Sequence, residues 1–140
     1  MEQTTQALNV FIGLLRVSGK LEAVVKKDVK NYGLNITEFS VLEFLYHKGK
    51  QTPQTIQERI LIASSSTTYV IDKLVSKGLA ERKTNQADRR ETYVAITDPG
   101  CQLMAEIFPQ HAATIGRCFA DFELDELLQL EKLLKKVKDN

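Results

Sequence analysis

The chain has 140 residues, 43% hydrophobic and 26% charged, enough for one domain with a buried core and too apolar for wholesale disorder. Nineteen Lys and Arg against eighteen Asp and Glu give a net charge of +1, which excludes a uniformly basic coat but not a local basic patch. No apolar run approaches the ~18–20 residues that span a bilayer, the first residues lack the basic start of a secretory signal, and two cysteines build no disulfide framework, so the expectation is a soluble, cytoplasmic, single domain over 1–140 with no cofactor.

A first helix is predicted over 6–31, where Leu8, Phe11, Ile12, Leu15, Leu21, Val24, Val25 and Val29 recur at three- and four-residue steps. Gly13 and Gly19 weaken it, and Asn31-Tyr32-Gly33 stops it. A second helix starts near Thr37 as its N-cap, carries Phe39, Val41, Leu42, Phe44 and Leu45, and ends in His47-Lys48-Gly49-Lys50. Thr52 caps and Pro53 opens a short third helix over 54–61. Ile62-Ala63 is the turn, and Ser64 begins a fourth helix running to about Lys77, with Gly78 past its end. The apolar period then changes from 3.6 toward 2. Segments 79–84 and 92–97 are β-prone and flank a polar loop, which reads as a hairpin. Asp98-Pro99 restarts a helix with Leu103, Met104, Ile107 and Phe108, which Pro109 kinks without ending. A last helix begins at 121–123, with Leu124, Leu127, Leu128, Leu134 and Val137 as its stripe. The fold class is all-α with a small β-hairpin. Two short helices, a tight turn and a following hairpin form the pattern of a winged helix-turn-helix.

The chemistry collects on the fourth helix and the hairpin. At 100° per residue, Thr67, Val70, Ile71, Leu74 and Val75 share an inner arc. Ser65, Tyr69, Asp72, Lys73 and Ser76 fall on the opposite side, with Ser66 and Thr68 on the flanks; from Ser64 the start of the helix is rich in hydroxyls, and its outer face turns cationic at Lys73 and Lys77. Hydroxyls are poor helix formers, but with free N–H groups they approach a phosphate backbone closely. Arg82, Lys83, Arg89 and Arg90 bracket the hairpin tip, where Asp88 is placed to hold Arg90 extended. Arginines on a protruding hairpin suit the minor groove. Residues 48–91 carry a charge of +4 and the remainder −3, so the near-neutral whole hides a basic middle.

The run Leu74-Val75-Ser76-Lys77-Gly78-Leu79-Ala80-Glu81-Arg82, then Asp88-Arg89-Arg90, then Val94-Ala95-Ile96-Thr97-Asp98-Pro99-Gly100 resembles the MarR/SlyA family of bacterial transcription regulators. Tyr32-Gly33-Leu34-Asn35, Glu38-Phe39 and Leu45-Tyr46-His47-Lys48-Gly49 resemble its MhqR-type branch, repressors of quinone and aromatic-compound detoxification. The resemblance implies a homodimer on double-stranded palindromic DNA. A DNA-binding lobe would occupy about 37–100, and about 6–31 and 101–138 would supply dimerisation helices. It implies Arg90 as the wing arginine, Asp88 as its positioning partner, and a recognition helix over 64–77. A small aromatic effector is expected between the dimer helices and the lobe, with Phe11, Phe39 and Phe44 expected in the core. No arginine stands in the first two turns of the recognition helix, so bidentate guanine reading from there is unavailable and an A·T-rich operator is expected.

Cys101 and Cys118 read as small packed residues of the fifth helix; the rival is a redox-sensing repressor that uses one of them. The cysteine that peroxide-sensing family members carry in the first helix is absent. His47 and His111 stand alone in sequence, without acidic or thiol neighbours at ligand spacing, and no metal site is expected. A winged helix that binds protein and not DNA is the other alternative. No nucleophile elbow, phosphate loop or paired-carboxylate site supports an enzyme.

Overall fold

The computed structural model describes residues 1–60 and 64–139, with the side chains of Ser64 and Ser65 outside the description. The order is α1 (Glu2–Lys30), α2 (Ile36–Lys48), α3 (Pro53–Ile60), α4 (Ser64–Ser76), β1 (Ala80–Thr84), β2 (Thr92–Ile96), α5 (Asp98–Cys118) and α6 (Leu124–Leu134). The strands form an antiparallel hairpin pairing Ala80 with Ile96 and Thr84 with Thr92. Gln51 adds a single bridge beside β2, exchanging both backbone hydrogen bonds with Val94 at 3.0 and 2.8 Å. The predicted turn at Ile62-Ala63 lies outside the described residues.

Local chemistry explains the element ends. The cap of α2 is Asn35, where the sequence pointed to Thr37. Asn35 Oδ1 accepts from the Glu38 N–H at 2.7 Å, and Glu38 Oε1 accepts from the Asn35 N–H at 3.0 Å, a reciprocal capping box. Thr52 caps α3 through Oγ1, which accepts from the Thr55 N–H at 3.1 Å. Gly78 leaves α4 at φ +75°, a backbone region that glycine enters without penalty. Thr97 caps α5 and Pro109 sits inside that helix without ending it. The helical part of the last stripe stops at Leu134, short of Val137.

Two apolar clusters flank α2. On one side Val41 and Leu45 join Ile56, Val70, Ile71, Leu74, Ala80 and Val94, the core beneath α4 and the hairpin. On the other, Phe39 and Leu42 join Val29, Leu34, Met104 and Ile107, which ties α1 and α5 to the lobe. Each fully buried aliphatic chain contributes about 1.5–3 kcal/mol. Much of α1 and all of α6 lie outside both clusters. Phe11, expected in the core, is 57% exposed on this chain, and Leu124 is 70% exposed. An apolar trough of about 570 Å³ runs between α1 and the end of α5, lined by Val10, Leu14, Val17, Leu21, Phe119 and Phe122 among others.

Candidate nucleic-acid interface

The inner arc of α4 is where the helical angle puts it. Thr67, Val70, Ile71 and Leu74 are buried, while Ser66, Thr68, Tyr69, Asp72 and Lys73 are exposed. Lys73 Nζ stands 5.6 Å from the centre of the Tyr69 ring, so the cation and the aromatic face share one patch. Ser64 and Ser65, expected beside them, have side chains outside the description.

The hairpin tip is an ordered polar loop. Asn85 Oδ1 accepts from the Ala87 N–H at 3.0 Å, and Asn85 N–H donates to the Glu91 carbonyl at 2.9 Å. Asp88 Oδ1 accepts from both the Arg90 N–H and its Nε–H, at 3.1 and 3.3 Å, while the Arg90 side chain stays 93% exposed. A two-residue Asp–Arg spacing therefore orders the guanidinium stem without burying it. Arg89 is likewise exposed. Asn85 Nδ2 also donates to Glu91 Oε2 at 2.9 Å and lies 3.4 Å from the Tyr93 hydroxyl. The Tyr93 phenol is pushed above its ordinary value by its hydrogen bond to Glu91, then by burial and by the Glu91 charge. Sequence spacing gives Asn85 and Glu91 no role beyond loop and charge; an Asn opening a polar loop is the signal that points to the first.

Two of the cations that the sequence places on the fourth helix and the hairpin are ion-paired across elements. Arg82, in the middle of β1 opposite Val94, reaches Asp72 on α4 at 2.7 Å, which ties that strand to the outer side of the helix. Lys77, half-exposed, meets the buried Glu38 at 2.8 Å and the Gly33 carbonyl at 2.9 Å, both near the turn that joins α1 to α2. Lys50 lies 4.9 Å from the centre of the Tyr93 ring.

The lone histidine of the sequence is not alone in space. His111 Nδ1 lies 3.1 Å from Asp28 Oδ2 and its Nε2 3.6 Å from Glu43 Oε2, joining α5, α1 and α2. The Tyr32 hydroxyl donates to the other Asp28 oxygen at 2.9 Å. Burial first, then that hydrogen bond and the Asp28 charge, hold the Tyr32 phenol above its ordinary value of 10.0. A groove of about 520 Å³ opens beside them, with Glu43 and His111 at one side and Phe108, Ile115, Phe119 and Leu127 as apolar wall. Among the described residues, no group of three or more His, Cys, Asp and Glu could hold a metal ion. Cys101 is half-buried, but Cys118 is exposed on this chain and not packed as expected, because α5 runs past the core there. No helix of the described residues is long and apolar enough to cross a membrane.

Residues 34–92, from just before α2 to the first residue of β2, match the MarR family model. The chain is 43% identical over 134 residues to the HTH-type transcriptional regulator MhqR of Bacillus subtilis, covering 96% of this chain and 92% of that one. A mutant MarR from E. coli, solved in complex with operator DNA, superposes with a TM-score of 0.80 at 24% identity, covering 96% of each chain. Bordetella bronchiseptica BpsR, whose structure concerns regulation of DNA binding by 6-hydroxynicotinic acid, superposes with a TM-score of 0.81 at 24% identity, covering 94% of this chain and 99% of that one. These last two likenesses are of fold.

Proposed function

The chain belongs to the MarR family of winged helix-turn-helix transcription regulators, and from that premise we propose that it is a homodimeric repressor, released from its operator by a small aromatic or phenolic molecule. One observation carries the DNA part of this reading. The exposed hydroxyl and aromatic face of α4 is joined through Asp72 and Arg82 to a wing whose tip holds Arg90 extended on Asp88. A helix face of that shape enters the major groove, and an exposed arginine on a hairpin enters the adjacent minor groove. Ser64, Ser65, Ser66, Thr68, Tyr69, Lys73, Arg89 and Arg90 are the proposed contacts, with Asp88 as positioning residue. We propose the cytoplasm as its place of action, where a bacterial operator would be met.

The dimer follows from the apolar surface that one chain leaves open on α1 and α6. A second copy related by a two-fold axis covers both faces and sets two lobes for a palindrome. The effector fits the groove beside His111, where apolar walls accept a ring and Glu43 or His111 meets a hydroxyl.

Serine, threonine and tyrosine hydroxyls discriminate bases weakly, while a threonine methyl or a tyrosine ring contacts the thymine methyl. Specificity then rests on thymine and on minor-groove shape under Arg89 and Arg90. Selection from a randomised duplex library, followed by footprinting, returns a palindrome with A·T-rich flanks and half-sites about 10 base pairs apart. Exchanging the flanking A·T pairs for G·C costs ~1–3 kcal/mol, as much as a central mismatch. Selection of G·C-rich flanks overturns this account of the helix.

A further inference from the structure

We infer that Lys77 and Glu38 are positioning residues that set the angle of α4 against the helices carrying the dimer contact, and so set the operator spacing the protein accepts. The inference rests on the reading of α4 as the helix that enters DNA. Lys77 is the first residue beyond α4, and its ammonium is held twice, by Glu38 Oε2 at 2.8 Å and by the Gly33 carbonyl at 2.9 Å. Both partners belong to the corner joining α1 to α2. Glu38 is 4% exposed, and its other oxygen is committed to the Asn35 N–H. Among the described residues, nothing besides Lys77 engages Oε2, so the lysine is the counter-charge of a buried carboxylate. The adjoining backbone is gripped from the other side: the Thr97 hydroxyl donates to the Gly78 carbonyl at 2.6 Å, and the Thr97 N–H to the Leu79 carbonyl at 3.1 Å. The rear end of α4 is thus clamped between the end of α1 and the start of α5.

Leverage makes this clamp matter for recognition. The front of α4 lies about 20 Å from the clamp at 1.5 Å per residue. A tilt of about 10° moves that front by roughly 3 Å, close to one base-pair step. In a two-fold dimer any component of that tilt along the operator occurs twice, in opposite directions, so the angle would be read as half-site spacing. A side-chain and backbone grip of this kind restricts the tilt; a lysine free in solvent would not.

The test separates positioning from phosphate contact. Lys77→Met alone leaves the Glu38 charge buried and endangers folding. The informative protein therefore combines Glu38→Gln with Lys77→Met, because the amide oxygen of the new side chain still accepts from the Asn35 N–H. Two probes are used: the duplex that the wild-type protein selects from a randomised library, and a scrambled duplex of the same composition. The expected result is about tenfold weaker binding to the selected duplex, with unchanged affinity for the scrambled duplex and an unchanged salt slope. Selected duplexes with one base pair added or removed between half-sites should be discriminated less sharply than by wild type. Equal losses on both duplexes with a salt slope lowered by about 0.9 per contact would identify Lys77 as a phosphate ligand and overturn the inference. Unchanged affinity and unchanged spacing discrimination in a folded double variant would overturn it too. If the wild-type protein selects no duplex at all, the DNA-reading assignment falls first, and the inference with it.

Discussion

Arg90 and Lys50 carry the same charge in different surroundings. Arg90 stands at a hairpin tip, ordered by Asp88 and otherwise in solvent, whereas Lys50 leans on the Tyr93 ring behind the wing. Arg90→Ala is expected to weaken operator binding by ~1–3 kcal/mol and Lys50→Ala by distinctly less, measured by titration at fixed salt. Equal small losses would reduce the hairpin to a solvated turn. Tyr32 supplies a second residue-scale expectation. Its phenol is held above 10.0 in the folded state, so the stability tied to its proton is intact below about pH 10 and lost as pH rises through the folded value. Tyr32→Phe forfeits the hydrogen bond to Asp28, about 1–2 kcal/mol at a half-buried site. The advantage of wild type over this variant in chemical denaturation should shrink above about pH 10; a pH-independent difference would contradict the assigned cause. At this scale the sequence was legible where partners are close in chain, as for Asp88 and Arg90. It was silent where they are distant: Lys77 is 39 residues from Glu38, and His111 is 83 from Asp28. Nothing in local spacing separates a lysine that meets phosphate from one that meets a buried carboxylate.

Elements were recognisable because each carries its own apolar period. The inner arc of α4 and both strands emerged nearly residue for residue. The cap of α2 shows the limit: Thr37 and Asn35 are both good caps, and the decision came from Glu38 reaching back three residues to Asn35. Gly100 shows another. In the sequence it is one small residue in the first turn of a helix, where alanine would be the better helix former. In the structure, a Cβ there would collide with the Leu79 carbonyl oxygen and crowd the Ile96 side chain, because α5 starts directly against the exit of α4. Gly100→Ala is therefore expected to destabilise the lobe by about 1–3 kcal/mol despite its gain in helix propensity. Calorimetry showing an unchanged or higher melting temperature would refute the close approach.

At the scale of the whole molecule, one chain leaves much apolar surface open. Leu8, Phe11, Leu15, Leu124, Leu128 and Val137 are exposed together on the two ends of the sequence, and α6 buries no residue of its own. Covering such surface contributes ~25 cal/mol per Å², which is the driving force for the proposed dimer. Sedimentation at micromolar concentration should show a dimer, and deletion of 121–140 should leave a marginally stable, self-associating protein. A well-folded monomer at that concentration, with or without the deletion, would remove the basis for a palindromic operator.

Composition and periodicity alone determined a helical winged fold, a polar outer face on the fourth helix and an arginine-tipped hairpin. These features are local: a helical stripe, a turn and an Asp–Arg pair two residues apart are set by bonds and angles within a few residues. Tertiary structure alone decided which cations are paired across elements. It turned Arg82 to Asp72 and Lys77 to Glu38, placed Asp28 and Glu43 around His111, and left Phe11 and Cys118 outside the core. Those outcomes depend on which helix ends meet after folding, because a charge or a ring finds its partner through distances that only chain packing creates.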